Sequence, residues 1–293
     1  MENNYRLSFS KIKNVAATEY VKWICNPRMV ILLCMLIYIY DYIILEMKGA
    51  SADMGSTCSV FEPFLAIGNS ALLLLLLPII FITLLGDFPK TDGNTMFYIC
   101  RTGKQNWIFG QILFVIMAEI TYLVSVFVFS VLFSLTFSNV SWKWSDAVTK
   151  YVYKYPERRG SLMANLLTNR LYNNLELGKT MFYTTTLMFL NLLFIAMVLL
   201  VGFAIGKRMV GIVAGCVILC VGTTLSVTDS NIKWLFPTAN ATCWMHYDNY
   251  LNKQIYDIRF SYIYYFLMIV SLIIIAVSMI EHYDFSKVTD MED

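Results

Sequence analysis

Apolar residues run along this chain in six long blocks, about 29 to 47, 64 to 86, 107 to 136, 181 to 205, 209 to 227 and 260 to 280, separated by more polar segments. A helix that crosses a bilayer needs roughly 20 mostly apolar residues, and each block meets that need. None shows the two-residue alternation of an outer-membrane barrel, and helices are the other form that closes every backbone hydrogen bond within lipid. The pattern predicts an all-α, polytopic membrane protein with six transmembrane helices.

Residues 9 to 26, "FSKIKNVAATEYVKWICN", place Phe9, Ile12, Ala16, Tyr20, Trp23 and Ile24 near one helical face and Lys11, Lys13, Asn14, Thr18 and Lys22 elsewhere. This predicts an amphipathic helix lying on the inner leaflet, ended by Pro27. Residues 1–28 then form an interfacial elbow helix, and 29–293 one membrane domain with no internal repeat. Pro78 in "LLLLLLPII" predicts a kink in the second span. Gly202 and Gly206, and Gly211 and Gly215, lie four apart and predict close packing of the fourth and fifth spans.

Two segments on the far side are large. In 137–180, "KYVYKY" alternates like a strand, and "SLMANLLTNRLYNNL" gathers Leu162, Leu166, Leu167, Leu171 and Leu175 on one helical side, with a turn at Pro156 to Gly160 between them. The loop 228–259 carries Trp234, Phe236, Trp244, Tyr247, Tyr250 and Tyr256 and is expected to dip into the headgroup layer.

Charge orients these elements. Arg6, Lys11, Lys13, Lys22 and Arg28 precede the first span and only Lys48 stands between it and the second, which predicts a cytoplasmic N-terminus. Six spans return the C-terminus to the same side, and no removable signal peptide is expected. All six Trp fall near predicted membrane boundaries or beyond them. The composition, 58% hydrophobic and 14% charged, suits a chain mostly in lipid, and a net charge of +2 argues against a nucleic-acid partner.

Chemistry-bearing residues are sparse. His246 and His282 fall on opposite sides of the membrane, and HExxH, GxSxG and clustered Cys/His metal spacings are absent, so neither catalytic residues nor a metal site are expected. "LGKT" at 177–180 has Asn173 where a phosphate-binding loop needs glycine. "NVS" and "NAT", at Asn139 and Asn240, match the glycosylation sequon. Cys58 and Cys243 are the two cysteines expected outside, either as one disulfide or as two free thiols. Asp41, among Tyr38, Tyr40 and Tyr42, suits a hydrated position near the outer end of the first span. Glu119 lies deeper, where a structural hydrogen bond and a place in a transport path both fit. Polar residues within spans, Asn69, Ser70, Thr83, Glu119 and Thr223, are the candidates for such a path.

The link "LLGDFPKTDGNTMFYICRTGKQNWIFG", residues 84 to 110, carries helix punctuation: Thr91, Asp92 or Asn94 to cap, two turns in "NTMFYICR", and Gly103 to stop. Met96, Phe97 and Cys100 share one face, an apolar knob on a short cytoplasmic helix that suits docking to a soluble partner.

With an amphipathic helix before the first span, six spans, the "DFP...G...FYICRTGKQNWIFGQ" link and a short inner turn between spans four and five, the chain resembles the permease subunits of type 2 ABC transporters. The resemblance covers nearly the whole chain as an arrangement. It implies a dimer of membrane subunits, homo- or heteromeric, each docked on one of two separate ATPase subunits that hold the ATP and Mg; no cofactor is implied for this chain. The link becomes a coupling helix, with Asp92, Met96, Phe97 and Arg101 at or near the ATPase groove. The implied function is export of a peptide or other amphipathic cargo, an antimicrobial or toxin peptide among them, across a bacterial cytoplasmic membrane. Gln111 stands where the family often has a basic residue, and the 44-residue segment 137–180 exceeds the usual short connection. The alternative is a non-transporting membrane sensor or assembly protein that binds a ligand through that outer segment.

Overall fold

A computed structural model describes residues 7–90, 93–248 and 253–283. Helix α1 (Phe9–Ile24) precedes α2 (Met29–Ile39), which passes through a π-helical turn (Tyr40–Ile44) into α3 (Leu45–Met54) as one continuous helix of 26 residues. Strand β1 (Cys58–Ser59) leads to α4 (Glu62–Asn69) and α5 (Ala71–Leu84), then α6 (Gly93–Thr102) and the 31-residue α7 (Lys104–Ser134). Strand β2 (Ser138–Asn139) and four short helices follow: α8 (Asp146–Thr149), α9 (Tyr151–Lys154), α10 (Leu162–Leu166) and α11 (Asn169–Tyr172). The chain closes with α12 (Leu177–Ala204), α13 (Arg208–Val227), the short α14 (Pro237–Ala241) and α15 (Ile258–His282).

Among the described residues five helices are long and apolar enough to cross a membrane, and α4 with α5 makes a sixth candidate bent by 82°. The chain is an all-α membrane protein. α12 is its axis, with 72% of its most apolar window buried against 22% for α15, so α5, α7, α13 and α15 pack around it and turn their other faces outward.

The bend in the second block lies at Asn69–Ser70 and not at Pro78, which sits inside α5. Ser70 has an extended backbone (ψ 127°), and Asn69 gives its side-chain amide to Leu65 O (2.9 Å) and to Thr184 Oγ1 (3.1 Å). A polar pair that bonds backward and sideways ends a helix more decisively than a proline whose flanking turns are held by packing. All eight residues of α4 are buried.

Above the bundle α3, α4, α8 to α11 and α14 form a folded outer layer, joined by the parallel pair β1–β2 in the register Cys58 to Ser138 and Ser59 to Asn139. The strand expected in "KYVYKY" is helical instead. Ser145 caps α8 by accepting the Val148 amide, and Ala147, Val148 and Tyr151 turn inward at helical spacing. The single amphipathic helix expected after it is two, α10 and α11, because Leu167 leaves α10 in an extended conformation. Leu166, Leu167, Leu171 and Leu175 are nevertheless buried.

Asp41 is exposed in the π-helical turn, where Tyr40 meets Phe133 edge-on at 5.3 Å, level with the last turn of α7. The first helix therefore continues past its apolar part into the outer layer, where Asp53 pairs with Arg158. α1 does not lie against lipid alone: Val15, Ala16 and Trp23 are buried on α7, while Phe9 and Ile24 remain exposed. Asn240 is buried, with its amide on Trp234 O and Phe236 O, so its sequon is closed to modification, while Asn139 is exposed.

The glycine expectation holds in part. Gly202 and Gly211 meet across α12 and α13, so a Cβ on Gly202 would lie 2.4 Å from the Gly211 Cα. Gly206 instead forms the turn between these helices at φ 81°. At Gly215 an added Cβ would find its nearest atom, on Ile82, at an ordinary 3.5 Å. Gly202→Ala is expected to lower thermal stability in detergent, by about 1–3 kcal/mol from overpacking, while Gly215→Ala is neutral or stabilising. Equal losses for the two variants would show that α12 and α13 do not touch at Gly202.

Candidate functional site

Helix α6 stands at the end of the bundle that carries α1. Gly103 (φ 86°) ends it by donating its N–H to Ile99 O (2.8 Å) and begins α7 by accepting the Trp107 N–H (3.1 Å). A side chain rarely adopts that backbone, so two helices meet at one residue. Thr95, Ile99 and Thr102 are buried, while Tyr98 and Arg101 are exposed.

Asn106 ties three helices at this joint: its Oδ1 accepts the Ser8 N–H (2.8 Å) ahead of α1, and its amide donates to Thr102 O (2.8 Å) in α6. Lys11 donates to Arg101 O (3.3 Å), and the Lys22 ammonium lies 6.0 Å from the Tyr98 ring centre. α1 thus flanks both α6 and the first turns of α7.

The lead-in to α6 is held from two further helices. Asp87 pairs in fork geometry with Arg28, just ahead of α2, at 2.7 Å and 3.0 Å. Arg208, the first residue of α13, donates to Pro89 O (2.9 Å). Phe88 is buried against Phe114 of α7 at 5.7 Å, and the Trp23 indole N–H reaches Leu84 O (3.2 Å). On the other side Lys104 donates to Glu281 O (2.9 Å), in the last turn of α15, and to Tyr283 O (2.7 Å), just after it. Both oxygens of the Asp87 carboxylate are engaged, an arrangement stronger than a single exposed contact.

Of the four proposed coupling residues, Arg101 is exposed near the end of α6. Met96 and Phe97 belong to α6, but their side chains lie outside the described residues, as does all of Asp92. No hydrogen bond joins any two of the five path candidates. Asn69 and Ser70 stand at the α4–α5 break. Thr83 bonds back to Ile79 O (2.9 Å) and Thr223 to Leu219 O (2.8 Å), each closing on its own helix. Glu119 is fully buried in α7, and neither carboxyl oxygen accepts a hydrogen bond.

Two residues of weight, Asp87 and Glu62, went unread in the sequence, and Gln111 stood out there only as a departure from the family. Gln111 is fully buried in α7 with both amide atoms unpartnered. Asp87 fastens the link. Glu62, in the first turn of α4, accepts from Ser59 N (2.9 Å), Ser145 N (2.7 Å) and Ser145 Oγ (2.8 Å), joining three outer segments at one buried carboxylate. The signal for Glu62 was an acid one residue before Pro63 at the start of an apolar block.

Cys58 and Cys243 do not pair. Each is a buried free thiol in its own setting, Cys58 against Met47 O (3.9 Å) and Cys243 against Thr184 Oγ1 (3.4 Å). Burial pushes both thiols up to about 12, with the nearby Glu62 carboxylate adding to the effect at Cys58. Among the described residues no group of three His, Cys, Asp or Glu could hold a metal ion.

No family model matches the chain, and neither a curated protein nor a solved structure matches it.

In the loop between α13 and α15, His246 Nδ1 lies 2.9 Å from Thr242 O, which can only accept, so the neutral ring carries its proton there. Nε2 lies 2.9 Å from Ser261 Oγ, which donates its one hydrogen to Asn240 Oδ1 (2.8 Å). Burial pushes this imidazole down to about 4 against an ordinary 6.5. Between those values the unfolded loop binds a proton that the folded loop refuses. Stability is therefore full above the ordinary value and falls toward acid, by about 2 kcal/mol at pH 5. Thermal unfolding in detergent should show that fall, and His246→Gln should flatten it; an equal fall in the variant would clear His246.

The thiols give a second measurement. A water-soluble maleimide should label Cys25, which is exposed, in native membranes, and reach Cys58 and Cys243 only after denaturation without reductant. Resistance of both to labelling until reductant is added would mean that they are bonded.

Proposed function

We propose that the chain is the permease subunit of an ATP-driven exporter of the type 2 ABC class. Six spans, with α4 and α5 counted as one, leave both termini in the cytoplasm of a bacterial cell. The observation that carries this reading is the anchorage of α6. A loop that only reverses the chain needs no ties to α1, α2, α7 and α13, whereas a helix that receives a push from a soluble ATPase needs stiff links to the spans it moves. Asp87–Arg28 and Arg208–Pro89 supply those links, and exposed Arg101 offers a charge to the partner.

In this reading the chain works as a dimer, each copy seated on one of two ATPase subunits, and peptide or other amphipathic cargo moves between the copies. ATP and Mg belong to the ATPase. Chemistry is not asked of this chain. Glu119 and Gln111, enclosed in α7 without partners, are the span residues most suited to meet a polar group of cargo or of the second copy when the bundle rearranges.

One observation favours a second reading. The outer layer is folded around a wholly buried α4 and fastened by Glu62, which also suits a sensor or assembly protein that holds a ligand outside.

The deciding experiment is purification of the tagged protein from its own cells in mild detergent. A stoichiometric ATPase lacking membrane spans is expected to come with it, to be lost from Arg101→Glu, and to stay bound to Asp87→Asn with ATPase activity no longer responsive to cargo. Recovery of the protein without any ATPase would exclude the permease reading.

A further inference from the structure

Pro78 lies in the middle of α5 and has no N–H, so Leu74 O, one turn back, receives no bond from the position that would normally serve it. A carbonyl so placed inside a bundle of spanning helices has no bulk water to turn to. Its need must be met locally.

At that turn the structure has a small cavity with about 10 Å³ of water-accessible space, lined by Leu74, Leu77 and Pro78 of α5 and by Met188, Asn191 and Leu192 of α12. All six residues are buried. A cavity needs roughly 10–15 Å³ of such space to admit one water, so a single molecule fills this one. Nothing larger fits.

Asn191 brings the second polar group. The residue is 3% exposed, and its Oδ1 lies 3.4 Å from the Tyr265 hydroxyl, whose one hydrogen goes to the closer Pro237 O (2.7 Å). Its Nδ2 donates to no described residue. An amide enclosed among Leu and Met side chains is costly without a partner, yet no hydrogen bond joins Asn191 to α5 directly. The cavity lies between the two. A donor on α12 and an acceptor on α5 thus flank a space of one water, and a bound water with two to four polar partners is the ordinary way such groups are satisfied.

We propose that this cavity binds one water molecule, which accepts from Asn191 Nδ2 and donates to Leu74 O, bridging α5 to α12 across the proline turn. The water replaces the bond that Pro78 removes, and α5 continues through the proline to Leu84. This inference concerns the resting bundle and needs neither an ATPase nor cargo.

The test uses the full-length protein in lipid nanodiscs. A pulse of X-rays splits bound water into hydroxyl radicals, which oxidise the side chains that touch it, and mass spectrometry reads the sites. Met188, on the cavity wall, is expected to be oxidised several-fold faster than Met197, which lies on the same helix, is also buried and stands outside the cavity. Asn191→Leu should remove that difference. It should also lower the thermal midpoint by about 2–6 °C, and by clearly less in a Pro78→Ala background, where a restored N–H serves Leu74 O. Oxidation of Met188 no faster than that of Met197 in the native chain would overturn the proposal, and so would equal losses of midpoint from Asn191→Leu in the two backgrounds. The first comparison is made on the native chain, so it decides the matter even where a variant does not fold.

Discussion

A helix that stops inside an apolar bundle leaves backbone groups that lipid cannot hydrate, and the break between α4 and α5 imposes that demand on everything around it. The Asn69 carbonyl takes the Trp244 indole N–H (3.0 Å), and Leu65 O takes the Asn69 amide. Trp244 is delivered by the loop after α13, and Arg170 of the outer segment lies over its ring at 5.4 Å. Gly68 lets α12 approach so closely that any side chain there would strike Thr184 and Met188. The break is thus closed by an outer loop, an outer helix and the central span at once. A folded outer layer is what allows the second span to bend.

The opposite end meets a different demand. There the backbone can be wet, and the residues that organise it are charged: Arg28, Asp87, Arg208 and Lys104 hold the α6 lead-in and the end of α15 to the bundle. Half-exposed ion pairs contribute little singly to stability. Their effect here is geometric, because several helices are fixed to one short link. Glu62, at the end away from α1, is enclosed and donor-rich, and Asp87, at the α1 end, is open and paired with a base. The two carboxylates show how the two sides of one bundle are fastened by different means.

Much of this was legible in the sequence wherever a long apolar run set the answer. α7, α12, α13 and α15 begin and end close to the limits that hydropathy alone suggests, and Gly103 ends α6 as its position implied. The failures share a cause. Pro78 was a strong local signal overridden by packing, while the modest Asn69–Ser70 pair became decisive through partners more than a hundred residues away. "KYVYKY" alternates in sequence, yet it forms the single turn α9, which brings the Tyr151 and Tyr155 rings to 5.6 Å on one side. Cys58 and Cys243 were expected on one side of the membrane, but they are buried in separate neighbourhoods. The helix α6 itself was legible from its caps and apolar positions; the anchorage of its lead-in by Arg28 and Arg208 joins residues distant in the chain, which no local pattern carries.

α7 has 31 residues, so at 1.5 Å per residue it is about 46 Å long, longer than the roughly 30 Å hydrocarbon core. Near one end, at Gly110, it touches α1 so closely that a Cβ would lie 2.6 Å from the Val15 side chain. At the other end the Ser134 hydroxyl reaches Val60 O (3.3 Å) in the outer layer. A rod held at a tight contact near one end is a lever with unequal arms. From Gly110 to Ser134 the long arm is about 36 Å, so a tilt of about 10° at that fulcrum sweeps its tip through about 6 Å. Any small rotation at that contact would be magnified, by geometry alone, into a displacement about as wide as a helix turn at the other end of α7.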